Sequence, residues 1–429
     1  MPAARPPRGD ARPLTAVDAQ TLWLSSVVPS DQYLLYAFDG VPADVDGAVA
    51  EVCGRARACP DAAVRVADRG RWRYPAWVPA DVDRGWATVD RLDDPTWTGC
   101  LRAVTELTAR RLDAGVAPWH LHVLPGVRGI PGAAGEGTVA VVRIAHALGD
   151  GQRSAALAAH LFGRDAAVPP SWPDPARPLL LPVLGARAAR AHRRLRRDEA
   201  SGAVPPPAIP CPPMRSNALD DGPRILRVLT RRRHDLGAGT VTVAVLSAVA
   251  EALTGHLRAL GDDPAGLGAE VPMATAPPRR AHNHYGNVGV GLHPDLPASA
   301  RAERIAADLR DRRVRAEHPA HRADARAFAA TPAPLLRWGI GHFDPTVRPV
   351  SVSGNAVVSS VHRGPADLAF GGAPVLLTSS FPSLSPLMAL AHGVHGLGDV
   401  VAVSVHSTEA VLGGPDGVAA YVDRLDAAL

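Results

Sequence analysis

The chain has 429 residues, more than one ordinary hydrophobic core holds, since such cores stop growing near ~250–300 residues; two domains, or one deeply divided one, are expected. Hydrophobic residues make up 46% and charged residues 21%, and the 40 Gly and 42 Pro fall short of the proportion that marks low-complexity disorder, so a fibre or an unfolded tail is excluded. The formal charge of +4 rests on 46 basic residues that are all Arg, and with aromatics at 4% and no basic stripe interleaved with them, no nucleic-acid partner is expected.

The absence of Lys, with abundant Ala, Gly, Pro and Val and only four Asn, reads as GC-rich codon usage rather than selection for an anionic partner. Cys53, Cys59, Cys100 and Cys211 show neither CxxC spacing nor disulfide density, which points to a reducing compartment and a cytoplasmic location. Met1 to Pro13 is Arg/Pro-rich and leads into no continuous apolar segment, so no secretory signal is expected. The most apolar stretch, Val241 to Leu253, is interrupted by Glu251. A soluble protein with room for peripheral lipid contact is the expectation.

In chain order, the first half reads as mixed α/β. A helix is expected over Ala16 to Leu24, an amphipathic stretch over Leu101 to Leu112, and strands at Trp119 to Leu124 and Thr138 to Ala145, the latter a β-branched run fit for a buried strand. HALGDG follows at once, and Gln152 to Phe162 reads as a helix. Pro169 to Pro223 changes character: two proline clusters flank ARAARAHRRLRR, a helix-compatible stretch best read as a solvated helix face. This tract divides the chain into residues 1–168, a crossover at 169–223, and residues 224–429.

The second half opens with a helix whose Leu246, Val249, Leu253, Leu257 and Leu260 line one face. Val288, Val290 and Leu292 alternate as in a strand. Further β-like runs follow (PVSVS, NAVVSSV, APVLLTSS, PLMALAHGV, VVAVSVH), and Val418, Val422, Leu425 and Leu429 close the chain at helical spacing. The elements do not alternate as in a doubly wound sheet, so two α/β sandwiches with mixed sheets are expected.

Chemistry concentrates at Ala145-His146-Ala147-Leu148-Gly149-Asp150-Gly151. A turn after a buried strand aims one imidazole into a cleft, and neutral His takes a proton from a hydroxyl or amine near neutral pH. Asp150 is placed to hold the turn through backbone or Arg hydrogen bonds, and Gly151 lets another group approach closely. His120 and His122 share one strand face as metal ligands do, but no third ligand is identifiable, so no metal is expected. His282 with His284, and His392 with His395, raise the same idea, and either pair is placed to face the cleft. There is no GxGxxG, GxSxG or GxxxxGK[ST] segment.

The stretch APWHLHVLPGV…GTVAVVRIAHALGDG resembles the bacterial wax ester synthase/diacylglycerol acyltransferase family, whose motif is HHxxxDG preceded by PLWxLHL. PLTAVDAQTLWL is similar to that family's opening PLSxxDxxFLW, EVPMATAPPRRAHNHYGNVGVGLHPDLP to its VPVSxR…GN segment, and VVSSVHRGPADLAFGGAPV to its VSNVPGP…LAGAxV. The order and spacing of the matches span nearly the whole chain. The wider superfamily, with chloramphenicol-acetyltransferase-like enzymes and condensation domains, implies two α/β halves with an active-site tunnel between them.

The resemblance implies His146 as general base, Asp150 as an orienting ion-pair partner and Gly151 as the motif glycine. It implies acyl transfer from a thioester, acyl-CoA or acyl-carrier-protein, to a hydroxyl or, less readily, an amine, with no bound cofactor. Asn287, Ser359 and Ser360 are candidates for lining the cleft. The chain departs from the family where Ala145 replaces the first His, Ala117-Pro118-Trp119 replaces PLW, Thr242-Val243 stand about where the family has an Asn-Asp pair, and Ser360-Val361-His362-Arg363-Gly364-Pro365 replaces NVPGP. Two other readings remain open: a condensation-domain-like enzyme of specialised metabolism, and a silent binding or scaffold protein.

Overall fold

Strands form where β-branched and aromatic residues run together, and helices where apolar residues recur at three- and four-residue steps. The computed structural model describes residues 11–173, 177–218, 222–237 and 239–429; parts of the Arg/Pro-rich start and of the crossover lie outside them. The first half runs β1 (Arg12–Pro13), α1 (Ala16–Leu24), β2 (Gln32–Asp39), α2 (Val45–Ala58), β3 (Val64–Ala67), β4 (Ala76–Pro79), β5 (Ala87–Val89), α3 (Trp97–Leu107), β6 (Trp119–Val127), β7 (Gly137–Ile144) and α4 (Gly151–Leu161). After the crossover helix α5 (Leu181–Ala200) come β8 (Arg224–Arg232), α6 (Val241–Ala259), β9 (Gly268–Ala274), β10 (Tyr285–Gly291), α7 (Ala298–Ala316), α8 (Pro319–Ala329) and α9 (Ala333–Gly341). The chain ends with β11 (Ala356–His362), β12 (Ala369–Phe370), β13 (Ala373–Ser380), β14 (Leu390–Leu397), β15 (Val400–Thr408) and α10 (Gly414–Ala428).

The described strands make two six-stranded mixed sheets, β12-β13-β2-β7-β6-β5 and β10-β9-β11-β14-β15-β8, and a small sheet β1-β4-β3. In the first, only β5 and β6 pair in parallel. In the second, β11 lies parallel to both β9 and β14, and the remaining pairs are antiparallel. This is the pair of mixed α/β sandwiches expected from the element order.

β7 sits between β2 and β6 with all eight residues buried. Its one charge, Arg143, is matched by Asp31, with 2.7 Å between Nη2 and Oδ2. Such a strand is a rigid support for whatever follows it. In the second half, the expected apolar stripe of α6 packs Leu246, Val249, Leu253 and Leu257 into the core with Tyr421 and Leu425 of α10.

Two features depart from the expected layout. Residues 369–380, in the second half by sequence, leave its sheet: β13 pairs with β2 (Val375 with Phe38, Thr378 with Tyr36), so the first sheet is completed by the far end of the chain. PVSVS forms no strand; Val352 makes a single bridge to Cys211, and Val350 is 97% exposed. β-branched composition supplies propensity, but a strand needs a surface to cover. The Arg-rich stretch is helix α5, which buries Ala188 and Leu195 and leaves its six arginines exposed, a solvated face as expected.

Candidate active site

β7 ends at Ile144, and the chain turns through Ala145 and a short 3-10 turn, His146–Leu148, before Asp150 caps α4. Asp150 Oδ1 accepts from the Arg153 N–H at 3.1 Å, which stops the helix from unwinding into the turn. Arg153 runs back under the turn and donates to Leu148 O at 3.1 Å and to Asp61 at 2.9 Å. Gln32 and Ser154 both donate to Gly149 O. Gly151 marks a close approach: a Cβ there would lie 3.1 Å from Val361 Cγ2 of β11, which belongs to the other half and would have to shift by a few tenths of an ångström.

The second half grips this turn through the loop between β9 and β10, residues 275–284. Arg279 Nη1 donates to Asp150 Oδ2 at 2.6 Å and to His282 O at 2.9 Å, and the His284 N–H reaches the same carboxylate oxygen at 3.0 Å. Asp150 thus pairs with the Arg279 guanidinium across the two halves. A second clamp comes from α1. Asp18, buried, accepts from the backbone N–H groups of His282 and Asn283 at 3.1 and 2.9 Å and from Asn283 Nδ2 at 3.0 Å. Asn283 Nδ2 also donates to His146 O at 2.9 Å. Burial pushes the Asp18 carboxyl up, and its hydrogen bonds oppose that push.

His146 is held by its backbone, and its ring is left free. No described residue hydrogen-bonds either ring nitrogen, while Tyr285 lies against one ring face, with centroids 5.9 Å apart and planes at 28°. Burial lowers the His146 pKa to about 4 against the opposite pull of Asp150, so the imidazole is neutral at pH 7. Tyr285 is pushed up to about 12, mainly by burial and then by the charges of Asp150 and Glu270, and keeps its proton.

His146 lines a cavity of about 240 Å³ together with Ala145, Leu22, Ser25, Val66, Arg111 and Arg337 among others. The motif's first His is absent here, and the small Ala145 side chain stands on that wall.

The other candidates fall elsewhere. Asn287 is exposed on β10, bonded to Glu270 at 2.6 Å, and Ser360 turns toward α6, where it bonds the Thr242 hydroxyl at 3.0 Å. Neither lines the cavity. The Thr242–Ser360 bond links two of the chain's departures from the family motifs. Ser359 alternates to the face of β11 shared by Val361, toward the turn, but it too lies outside the cavity wall.

His120 and His122 share Thr88 Oγ1 at 2.7 and 3.3 Å, and no group of three potential metal ligands occurs among the described residues. His282 stacks on Trp77, and His284 bonds Ala276 O. His392 and His395 are buried in β14, away from the cavity. Trp119 is core, its indole N–H bonded to Ala62 O at 3.0 Å.

No protein-family model matches the chain, and no curated protein does. Solved structures do. The wax ester synthase/diacylglycerol acyltransferase from Marinobacter aquaeolei VT8 superposes with a TM-score of 0.63 at 19% identity, covering 97% of both chains. The chain has the chloramphenicol-acetyltransferase-like fold of the condensation domains. The starter condensation domain of rhizomide synthetase RzmA, solved with C8-CoA and Leu-SNAC, gives a TM-score of 0.58 at 13% identity, over 97% of this chain and 93% of that one. The first condensation domain of the CDA synthetase gives 0.56 at 16%, over 97% and 94%.

Sequence reasoning missed Asp18, Arg279, Asn283 and Tyr285 as parts of this site. Their signal lay in the segments PLTAVDAQ and PPRRAHNHYGN, whose spacing alone does not show that they meet.

Proposed function

We propose that the protein is an acyltransferase in which His146 takes the proton of an acceptor hydroxyl or amine. The acceptor atom attacks the carbonyl carbon of an acyl thioester, the new C–O or C–N bond forms, the C–S bond breaks, and the proton passes from His146 to the departing thiolate. No covalent enzyme intermediate is needed. The donor is an acyl-CoA or a carrier-bound acyl group, in keeping with a cytoplasmic setting and with the ligands of the rhizomide synthetase domain.

The observation that carries this reading is the state of His146: its backbone is fixed from both halves, while its neutral ring lies beside a cavity with neither nitrogen bonded by a described residue. A pKa near 4 keeps the base fully deprotonated at pH 7. Tyr285, protonated, stacks on one face of the ring and helps to fix its plane.

The test is thiol release from octanoyl-CoA with a panel of alcohols and amines, and mass detection of the acylated product. His146→Ala is expected to lower turnover by about 100-fold or more while the circular dichroism spectrum is retained, as for the loss of a general base. Unchanged turnover in the folded variant removes His146 from the mechanism, whereas no turnover by the unmodified protein with any donor and acceptor favours a scaffold protein.

A further inference from the structure

The wall of the His146 cavity carries four charged side chains. Arg111, Asp68, Asp113 and Arg337 line it together with Leu22, Trp23 and other residues. Asp68, Arg111 and Asp113 are exposed and Arg337 is half-buried, so these charges sit at the solvent-facing rim of the cavity. The cavity also holds only about 240 Å³.

The charges are not equivalent. Each aspartate has an oxygen committed to its own turn: Asp68 Oδ1 accepts from Gly70 N at 3.0 Å, and Asp113 Oδ1 from Gly115 N at 2.9 Å. The guanidiniums, each with five N–H donors, are almost unused. Arg111 makes one long bond to Ser25 Oγ at 3.4 Å. Arg337 comes no nearer than 4.0 Å to Asp68.

Arg337 is nonetheless placed. Its guanidinium lies 5.1 Å over the Trp23 ring, and Trp23 in turn stacks on Tyr74 at 5.8 Å. Tyr74 is tied to Thr331 O at 2.6 Å, so the hairpin between β3 and β4, α1 and the start of α9 hold one another. Arg337 reaches this cavity from the second half, whereas the other lining residues belong to the first.

We propose that the acceptor is a small molecule bearing a carboxylate as well as its nucleophilic hydroxyl or amine, with the carboxylate held by Arg337 and Arg111 and the nucleophile presented to His146. The inference rests on the acyl-transfer reading above and narrows its substrate class. Planar guanidiniums with unfilled donors match a carboxylate in geometry and charge. One charged end fixed at the rim leaves the other end directed at the base.

The experiment pairs each acid with its methyl ester: L-serine, L-threonine and β-hydroxybutyrate, with 1-decanol as the long apolar acceptor and octanoyl-CoA as donor. Acids are expected to show a KM at least tenfold below their esters, and decanol to be the poorest acceptor. Arg337→Ala and Arg111→Ala should raise KM for the acids at least tenfold with kcat little changed and leave the esters unaffected, and Arg337→Lys should restore part of the loss. Arg111 is exposed and Arg337 half-buried, so these variants should fold.

Ligand-observed NMR on the unmodified protein scores binding of the same pairs whether or not turnover is seen. Equal binding of acids and esters, no binding of any acid, or preference for decanol overturns the proposal. His146-dependent turnover confined to neutral acceptors overturns it alone, whereas turnover indifferent to His146→Ala defeats the acyl-transfer reading itself.

Discussion

Two regions of the molecule hold imidazoles that burial has stripped of their proton: the turn after β7 and the antiparallel pair β14–β15. His146 in the first and His392 and His406 in the second all have pKa values lowered to about 4. The cause is the same, but the use of the ring is not. His392 Nε2 shares a hydrogen bond with the Tyr421 hydroxyl at 2.8 Å, and His406 Nδ1 donates to Pro382 O at 2.8 Å. His146 has no such partner among the described residues and faces a cavity. A lowered pKa therefore marks burial; an uncommitted nitrogen beside open space marks a site.

The strongest way to break this comparison is to remove what holds the turn. Asp150→Ala deletes an acceptor of three N–H groups and leaves Arg279, whose side chain is 11% exposed, without its charge partner. Breaking a buried pair in this way costs about 3–5 kcal/mol. Urea denaturation should show a loss of that size, together with loss of turnover even where the protein remains folded. A loss below about 1 kcal/mol with turnover intact would mean that the turn keeps His146 in place without the loop at 275–284.

How much of this was legible in the sequence follows the range of each interaction. β7, the turn and α4 are local: a continuous apolar β-branched run, a glycine-punctuated heptapeptide and a capped helix, so the setting of His146 and Asp150 was legible. The periodic stripes of α6 and α10 were read in the same way. The pairing of β13 with β2 joins residues more than three hundred positions apart, and neither strand carries a mark of the other. Asp18 and Asn283 meet across 265 positions, and Arg337 arrives on a helix with no pattern tying it to Trp23. Ser360 and Asn287 misled because hydroxyls and amides near a motif suggest a cleft, whereas strand alternation and the neighbours Thr242 and Glu270 decide where they point.

Acid sharpens the comparison, because stability and catalysis should separate. The folded pKa of these histidines lies below the ordinary value of 6.5, so as pH falls from 6.5 toward 4 the unfolded chain takes up protons that the folded chain refuses. Stability then drops by about 1.4 kcal/mol per pH unit for each such histidine, and the dependence flattens above pH 6.5 and below 4. His122, lowered to about 3, extends the slope further. Urea midpoints should already be falling at pH 5.5, while kcat/KM stays level because His146 is still neutral there. An acid limb in kcat/KM near pH 6.5 would show that His146 titrates as an exposed imidazole and that the burial argument is wrong.

The smallest effect tests the other side of the comparison. Tyr421→Phe removes the hydroxyl from His392 Nε2 and changes nothing near the cavity. The orphaned nitrogen sits in a fully buried part of the second core, beside Leu390 and Val394. Leaving one buried polar atom without a partner costs about 1–3 kcal/mol. The urea midpoint should fall by that amount, with KM and kcat for every acceptor unchanged. If turnover fell while stability held, β14–β15 would be part of the chemistry, and an imidazole could not be assigned to structure merely because its nitrogen is bonded. If both held, the Tyr421–His392 hydrogen bond would contribute nothing, and packing of the two rings alone would keep His392 neutral in the core.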